Sequence, residues 1–173
     1  MATENKNIWF YSSPDGTPPP IRTYQMTAAQ GILNPGAALM LETAGTCDRV
    51  ATDDIAILGY LVGVVDQSIA WPLTAALSAG DEVRVAIARA GDVYAGYADA
   101  DGTDCVVAQA MVGDALGITA TGTVGHCTVN TLETSNTLFN VVDLMFNVAP
   151  EKNALANNPG VLLVKHISSK LQG

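Results

Sequence analysis

The chain has 173 residues, enough to bury one sizeable hydrophobic core. It carries 8 basic against 17 acidic residues, a net charge of −9, which excludes reliance on contacts to phosphates or anionic lipids; no nucleic-acid and no membrane partner is expected. Only 14% of residues are charged, against about a quarter in ordinary globular chains, so a neutral, small-residue surface covered by other subunits is expected.

Residues 1–25 read as an extended, Pro-rich N-terminal arm. Trp9, Phe10 and Tyr11 are a dense aromatic cluster in a chain with 6% aromatics. Pro18, Pro19 and Pro20, followed by Ile21, favour polyproline II and hold the segment extended. Such an arm either packs on its own domain or inserts its aromatic residues into a neighbour. Interfaces concentrate binding energy in aromatic residues, so docking on a neighbour is the expectation, and loss of residues 1–21 should leave the rest folded.

Residues 26–173 read as a single β domain, with its core between about 26 and 167. A strand near 24–28 leads to Asn34-Pro35-Gly36, whose Pro-Gly centre fits a type II turn. Residues 37–42 continue as a strand, and the polar stretch 45–54 reads as a loop. The β-branched run 55–65 contains Gly59 and Gly63, which signal a bulge or a close backbone approach. The stretch 79–98 is the clearest. Gly80-Asp81 and Gly91-Asp92 each open an alternating segment, and Val83, Val85, Ile87 and Val93 take the inward positions. Gly113-Asp114 opens a third, with Ile118 inward. The longer interval before it leaves room for a strand at 105–110. Cys127, Val129 and Thr131 alternate again. Residues 138–148 fit helical and strand spacing, and their Val and Phe content favours a strand. A second Pro-Gly turn at 158–160 leads to a last strand over 161–167, paired with 138–148. The sum is an all-β, mainly antiparallel fold: a small β-barrel or tulip-like sandwich.

Candidate chemistry is sparse. Asp99, Asp101 and Asp104 are spaced like an acidic cation loop but lack its terminal bidentate Glu, and an Asp-Gly hairpin accounts for the same residues. His126 and Cys127 are neighbours and point to opposite faces of a strand, so they cannot pair; Cys127 with the distant His166 stays open. Three cysteines, Cys47, Cys105 and Cys127, give neither a disulfide framework nor zinc-ligand spacing. No phosphate loop, nucleophile elbow or dinucleotide fingerprint occurs. No enzyme activity and no cofactor is expected. The start of the chain shows no apolar signal segment, so synthesis in a cytoplasm with reduced thiols is expected.

Several pieces of the chain together resemble the capsid decoration (cement) proteins of tailed bacteriophages. These are Asn34-Pro35-Gly36, the run from Ile57-Leu58-Gly59 to Gly63-Val64-Val65, Gly80-Asp81-Glu82-Val83, Val112-Gly113-Asp114-Ala115-Leu116, and the closing pair around Phe139 and Val161. The resemblance covers about two-thirds of the chain in pieces. It implies a β-barrel or tulip-like domain, a homo-oligomer and above all a trimer, located on the virion surface, whose partner is the major capsid protein and which carries no catalytic residue. Two alternatives stand beside it. One is another virion component such as a coat, tail or head-fibre base protein. The other is a small-ligand or sugar-binding β-barrel stacking its ligand on Trp71, Tyr94 and Tyr97.

Overall fold

The computed structural model describes residues 7–43, 45–52, 54–66, 76–121, 126–148 and 159–172. Among the described residues twelve strands form the body: β1 (Trp9–Ser12), β2 (Ile21–Met26), β3 (Ala38–Thr43), β4 (Thr46–Arg49), β5 (Gly59–Val64), β6 (Glu82–Ile87), β7 (Val93–Ala100), β8 (Thr103–Asp104), β9 (Ala115–Thr121), β10 (His126–Asn130), β11 (Phe139–Leu144) and β12 (Val161–His166). One short helix, α1 (Met145–Val148), follows β11. The fold is all-β, built from small closed barrels.

The strands close into two rings. The first runs β2-β4-β3-β5-β6 and returns to β2. The second runs β7-β10-β9-β11-β12 and returns to β7. In each ring one pair is parallel, β2 with β4 and β7 with β10, and the other pairs are antiparallel. Leaving out the two-residue β8, both rings have the same strand order and the same strand directions.

The registers repeat as well. Met26 faces Cys47 as Ala98 faces Val129. Leu39 faces Gly59 as Leu116 faces Phe139. Gly59 faces Ile87 as Phe139 faces His166. A bulge falls after Leu61 in β5 and after Val141 in β11, leaving Val62 and Val142 exposed at matching places. The backbone bond Leu58 N–H to Leu39 O, 2.8 Å, has its counterpart from Leu138 to Leu116, 2.9 Å. The molecule is therefore two copies of one five-stranded barrel in tandem, joined through residues 88–92.

Packing explains the elements. Val83, Val85 and Ile87 are buried in the first ring, and Leu162, Val164 and His166 take the corresponding positions in the second. One contiguous cluster of buried side chains draws on both rings. A strap at each end of the chain ties the rings together. Ile8 is fully buried beneath Gly36, and the C-terminal residues return to the first ring. There Gln172 Oε1 accepts the Leu41 N–H at 2.7 Å, and Ile57 pairs with Leu171.

Several expectations need correction. Residues 7–25, the described part of the expected arm 1–25, do not stand apart. β1 pairs with β7, and residues 21–25 lie in β2, a strand of the first ring. The polar stretch 45–54 contains β4, because Cys47 and Val50 point into the core while their neighbours face outward. Residues 105–110 are not a strand; β8 ends at Asp104, and a 3-10 turn, Gln109–Met111, follows. Residues 138–148 divide into strand and then helix, so both spacings are real, one after the other. Val93 is only partly buried, on the outer face of β7, while Tyr94 beside it turns inward. The turn at 158–160 lies partly outside the described residues.

Other readings hold. Ala37 N–H bonds to Asn34 O at 3.0 Å with Gly36 at φ 85°, the geometry of a type II turn. Gly59 and Gly63 serve the two purposes expected of strand glycines. A Cβ on Gly59 would lie 2.9 Å from the Ala86 carbonyl carbon and closer still to its oxygen, so β5 and β6 could not approach. Gly63 follows the bulge and has open space around it. Gly59→Ala should therefore lower stability by about 1–3 kcal/mol through forced strand separation, while Gly63→Ala stays near wild type. Urea unfolding of both variants checks the contrast.

Candidate protein-interaction surface

The N-terminal segment is held down residue by residue. Phe10 points to the core and meets the Tyr94 ring edge-on at 5.9 Å. Trp9 and Tyr11 alternate to the outside; Trp9 is 39% exposed and lies 5.6 Å from the Tyr97 ring, and Tyr11 is 42% exposed. Pro18 is exposed and Pro19 buried, and the Pro20 carbonyl accepts the Ile87 N–H at 2.9 Å. Ile21 is 61% exposed. Phe10 and Pro19 thus belong to the chain's own core. Trp9, Tyr11, Pro18, Pro20 and Ile21 remain on the surface.

A polar clamp fixes the turn between β1 and β2. Asp15 accepts bonds from the Thr17 N–H (2.9 Å), the Thr17 hydroxyl (2.7 Å) and the Ser13 hydroxyl (2.7 Å). These bonds, with Arg89 nearby, hold its carboxyl well below the usual carboxylate range. Arg89, in the segment joining the two rings, donates to Thr17 O at 2.8 Å and to both oxygens of the buried Asp92 at 2.8 and 3.1 Å. The guanidinium thereby binds the turn to the junction of the barrels.

Between β1 and the first ring lies a cleft of about 360 Å³, lined chiefly by Ile8, Trp9, Phe10, Tyr60, Leu61 and Val62. Its floor continues into a buried aromatic cluster. The Tyr60 hydroxyl and His166 Nε2 are 3.0 Å apart, and the His166 ring contacts Tyr94 at 4.9 Å and Phe139 at 5.1 Å between centroids. Burial lowers the His166 pKa to about 3, so its ring is neutral, and burial drives the Tyr60 and Tyr94 hydroxyls well up.

The other candidates fall into structural roles. Asp99 is buried, and its oxygens accept the hydroxyls of Thr119, at 2.8 Å, and Thr128. Asp101 (φ 50°) and Gly102 (φ 87°) form the hairpin turn into β8. The Asn130 amide donates to Asp101 at 2.8 Å. Among the described residues no group of three or more His, Cys, Asp or Glu is placed to hold a metal ion, so Asp99, Asp101 and Asp104 are not drawn together as a cation loop. The Cys127 sulfur accepts the Ala38 N–H at 3.3 Å, whereas His166 pairs with Tyr60. Burial raises the thiols of Cys47 to about 12 and Cys127 to about 11, leaving both protonated and unreactive. The side chain of His126, and Trp71 entirely, lie outside the described residues. Tyr94 is core, and Tyr97 sits half-buried beside Trp9.

Sequence reasoning missed Tyr60, Val62 and Arg89 as parts of this surface. Only Arg89, a lone cation between two Ala-Gly-Asp segments, carried any signal; the rest depend on the rings being brought together.

Two outcomes follow. Ile8→Ala should cost about 2–5 kcal/mol, because it empties a fully buried site. Tyr11→Ala should change stability by less than about 0.5 kcal/mol, as is usual for a surface substitution. Thermal melts of the two variants separate an arm fixed on its own core from a free one. His166 gives a pH signature. The unfolded imidazole titrates near 6.5 and the folded one near 3. Stability is full above about pH 6.5 and falls as pH drops toward 3, where only the unfolded chain binds the proton, by up to about 1.4 kcal/mol per pH unit. His166→Gln should flatten this slope between pH 7 and 5 in urea titrations. No helix among the described residues is long and apolar enough to cross a membrane. The chain matches no family model and no curated protein.

Proposed function

We propose that this chain is a non-enzymatic structural protein of a virion, a capsid decoration protein that binds the outside of a tailed-phage head. In this reading it bridges neighbouring copies of the major capsid protein and acts as a homo-oligomer, most simply a trimer. It uses no cofactor. The observation that carries the reading is the exposure of Trp9, Tyr11 and Ile21 on a segment whose backbone is already fixed to the core. A prefixed backbone costs little entropy on docking, so large exposed apolar side chains there can give their contact energy to a partner. The low charge of the chain and its duplicated barrel support the same reading, since a lattice presents the same epitope repeatedly.

Negative-stain electron microscopy of the purified protein mixed with bare phage capsids tests this. Added density on the outer surface, weakened by Trp9→Ala with Tyr11→Ala, is the expected result. No density on heads, with binding to tails or fibres instead, would replace it with the other virion reading. Light scattering that gives a monomer mass, together with monomers on the particle, would remove the oligomer.

The cleft favours one competing reading, a small-ligand site. Its volume of about 360 Å³ lies within the range of ligand pockets, and aromatic residues line it. Calorimetry with simple sugars showing saturable binding that Tyr60→Ala abolishes would favour this reading over the first.

A further inference from the structure

The duplicated barrel makes the two rings each other's control, and they differ at one edge. In the second ring β10 reaches only Ala98 and Asp99 of β7. The rest of that edge, Val93 to Ala95, is covered by β1 in antiparallel pairing. In the first ring β4 likewise reaches only Gln25 and Met26 of β2. The matching stretch, residues 21–23, has no strand on it among the described residues.

The hydrogen bonds show which groups face that edge. Met26 N–H to Asp81 O and Ile87 N–H to Pro20 O, both 2.9 Å, direct the even-numbered residues of β2 toward β6. Gln25 N–H to Gly45 O, 3.1 Å, and Thr27 N–H to Cys47 O, 2.9 Å, direct the odd-numbered ones the other way. Strand alternation then leaves the N–H and C=O of Ile21 and Thr23 on the open side. Ile21 is 61% exposed, and Arg22 and Thr23 are exposed beside it.

We propose that this edge of β2 takes up an extended acidic segment of a partner polypeptide by antiparallel strand addition. The internal template is β1 on the second ring, which shows that the barrel accepts a strand here. Charge complementarity sets the occupant's chemistry. Arg22 lies on the edge, and Arg84 stands opposite Thr23 in β6. Neither has an ion-pair partner among the described residues, and no acidic residue lies within 20–24 or 83–88; Glu82, two residues before Arg84, faces Gln25 at the end of the pairing. In a chain of net charge −9 this is a local cationic edge. A carboxylate on the added strand beside Arg22 would pair with its guanidinium. A second copy meeting edge to edge about Arg22 would place two guanidiniums opposite each other, which disfavours self-pairing. Main-chain bonds give such an addition its affinity, and side chains its selectivity. The proposal rests on reading the chain as a binding protein, and its test uses no capsid, so the two can fail separately.

The experiment is amide hydrogen exchange by NMR on the full chain. The probes are capped eight-residue peptides of alternating valine and threonine, one with glutamate and one with lysine at the centre. Ile21 and Thr23 should exchange fast in the free protein, and the glutamate peptide should slow both. It should bind about tenfold more tightly than the lysine peptide, and Arg22→Glu should reverse that order. Thr23→Pro removes an N–H the ring does not use, so it should keep the melting temperature and lose the protection. Amides already slow in the free chain would overturn the proposal. So would protection that grows with protein concentration, which would assign the edge to a second copy. Peptide binding without protection of Ile21 and Thr23, or without charge preference, would overturn it as well.

Discussion

β7 is longer than the strand that closes its ring, and that mismatch organises the molecule. β10 covers its far end and β12 its other edge, leaving Val93 to Ala95 with unpaired backbone groups. An unpaired edge costs free energy when buried and invites foreign strands when exposed. The N-terminal segment fills it as β1, and this places Ile8 under Gly36 and Phe10 against Tyr94. A residue stretch that looks like a tail is thus part of the core. Arg89 then fixes the turn that leads from β1 back into the first ring.

The two rings keep register but not side chains. Gly59 of the first ring corresponds to Phe139 of the second, and Ile87 to His166. Where the first ring presses its strands together, the second inserts a ring and an imidazole. The imidazole bonds to Tyr60 of the other barrel, so a polar pair lies inside an otherwise apolar junction. The pair is only partly satisfied, since His166 Nδ1 and the adjoining Tyr94 hydroxyl are buried without a hydrogen-bond partner, so it fixes relative orientation at little net gain in stability. The bulges at Val62 and Val142 survive in both copies because they curve the strand to close a small ring.

The surface that results has two kinds of binding material. One is side-chain: Trp9, Tyr11 and the walls of the cleft. The other is main-chain: the edge of β2 left without a strand among the described residues, with Arg22 on it and Arg84 on the adjoining β6. Both belong to segments whose backbone is already ordered, and neither is accompanied by a reactive thiol or a converged carboxylate cluster among the described residues.

Local physics was legible in the sequence. The alternation of Val83, Val85 and Ile87 marked a half-buried strand because side chains on a pleated strand alternate faces. The positions after Asn34-Pro35, and at Gly80, Gly91 and Gly113, marked turns because each glycine adopts positive φ, from 85° to 100°. Gly59 and Gly63 announced a close approach and a bulge, though not which did which. Pairing was legible in one place, the closing pair of β11 with β12, and not elsewhere. β4 is four residues with one core cysteine, Thr46-Cys47-Asp48-Arg49, too short and polar to stand out from a loop. The aromatic cluster at Trp9 to Tyr11 looks the same whether it meets a neighbour or its own β7, since the sequence does not say which edge is left open. The duplication was hidden for the same reason. Strand order and register are set by which backbone groups find partners across the fold, and side chains as different as Gly59 and Phe139 fill equivalent places.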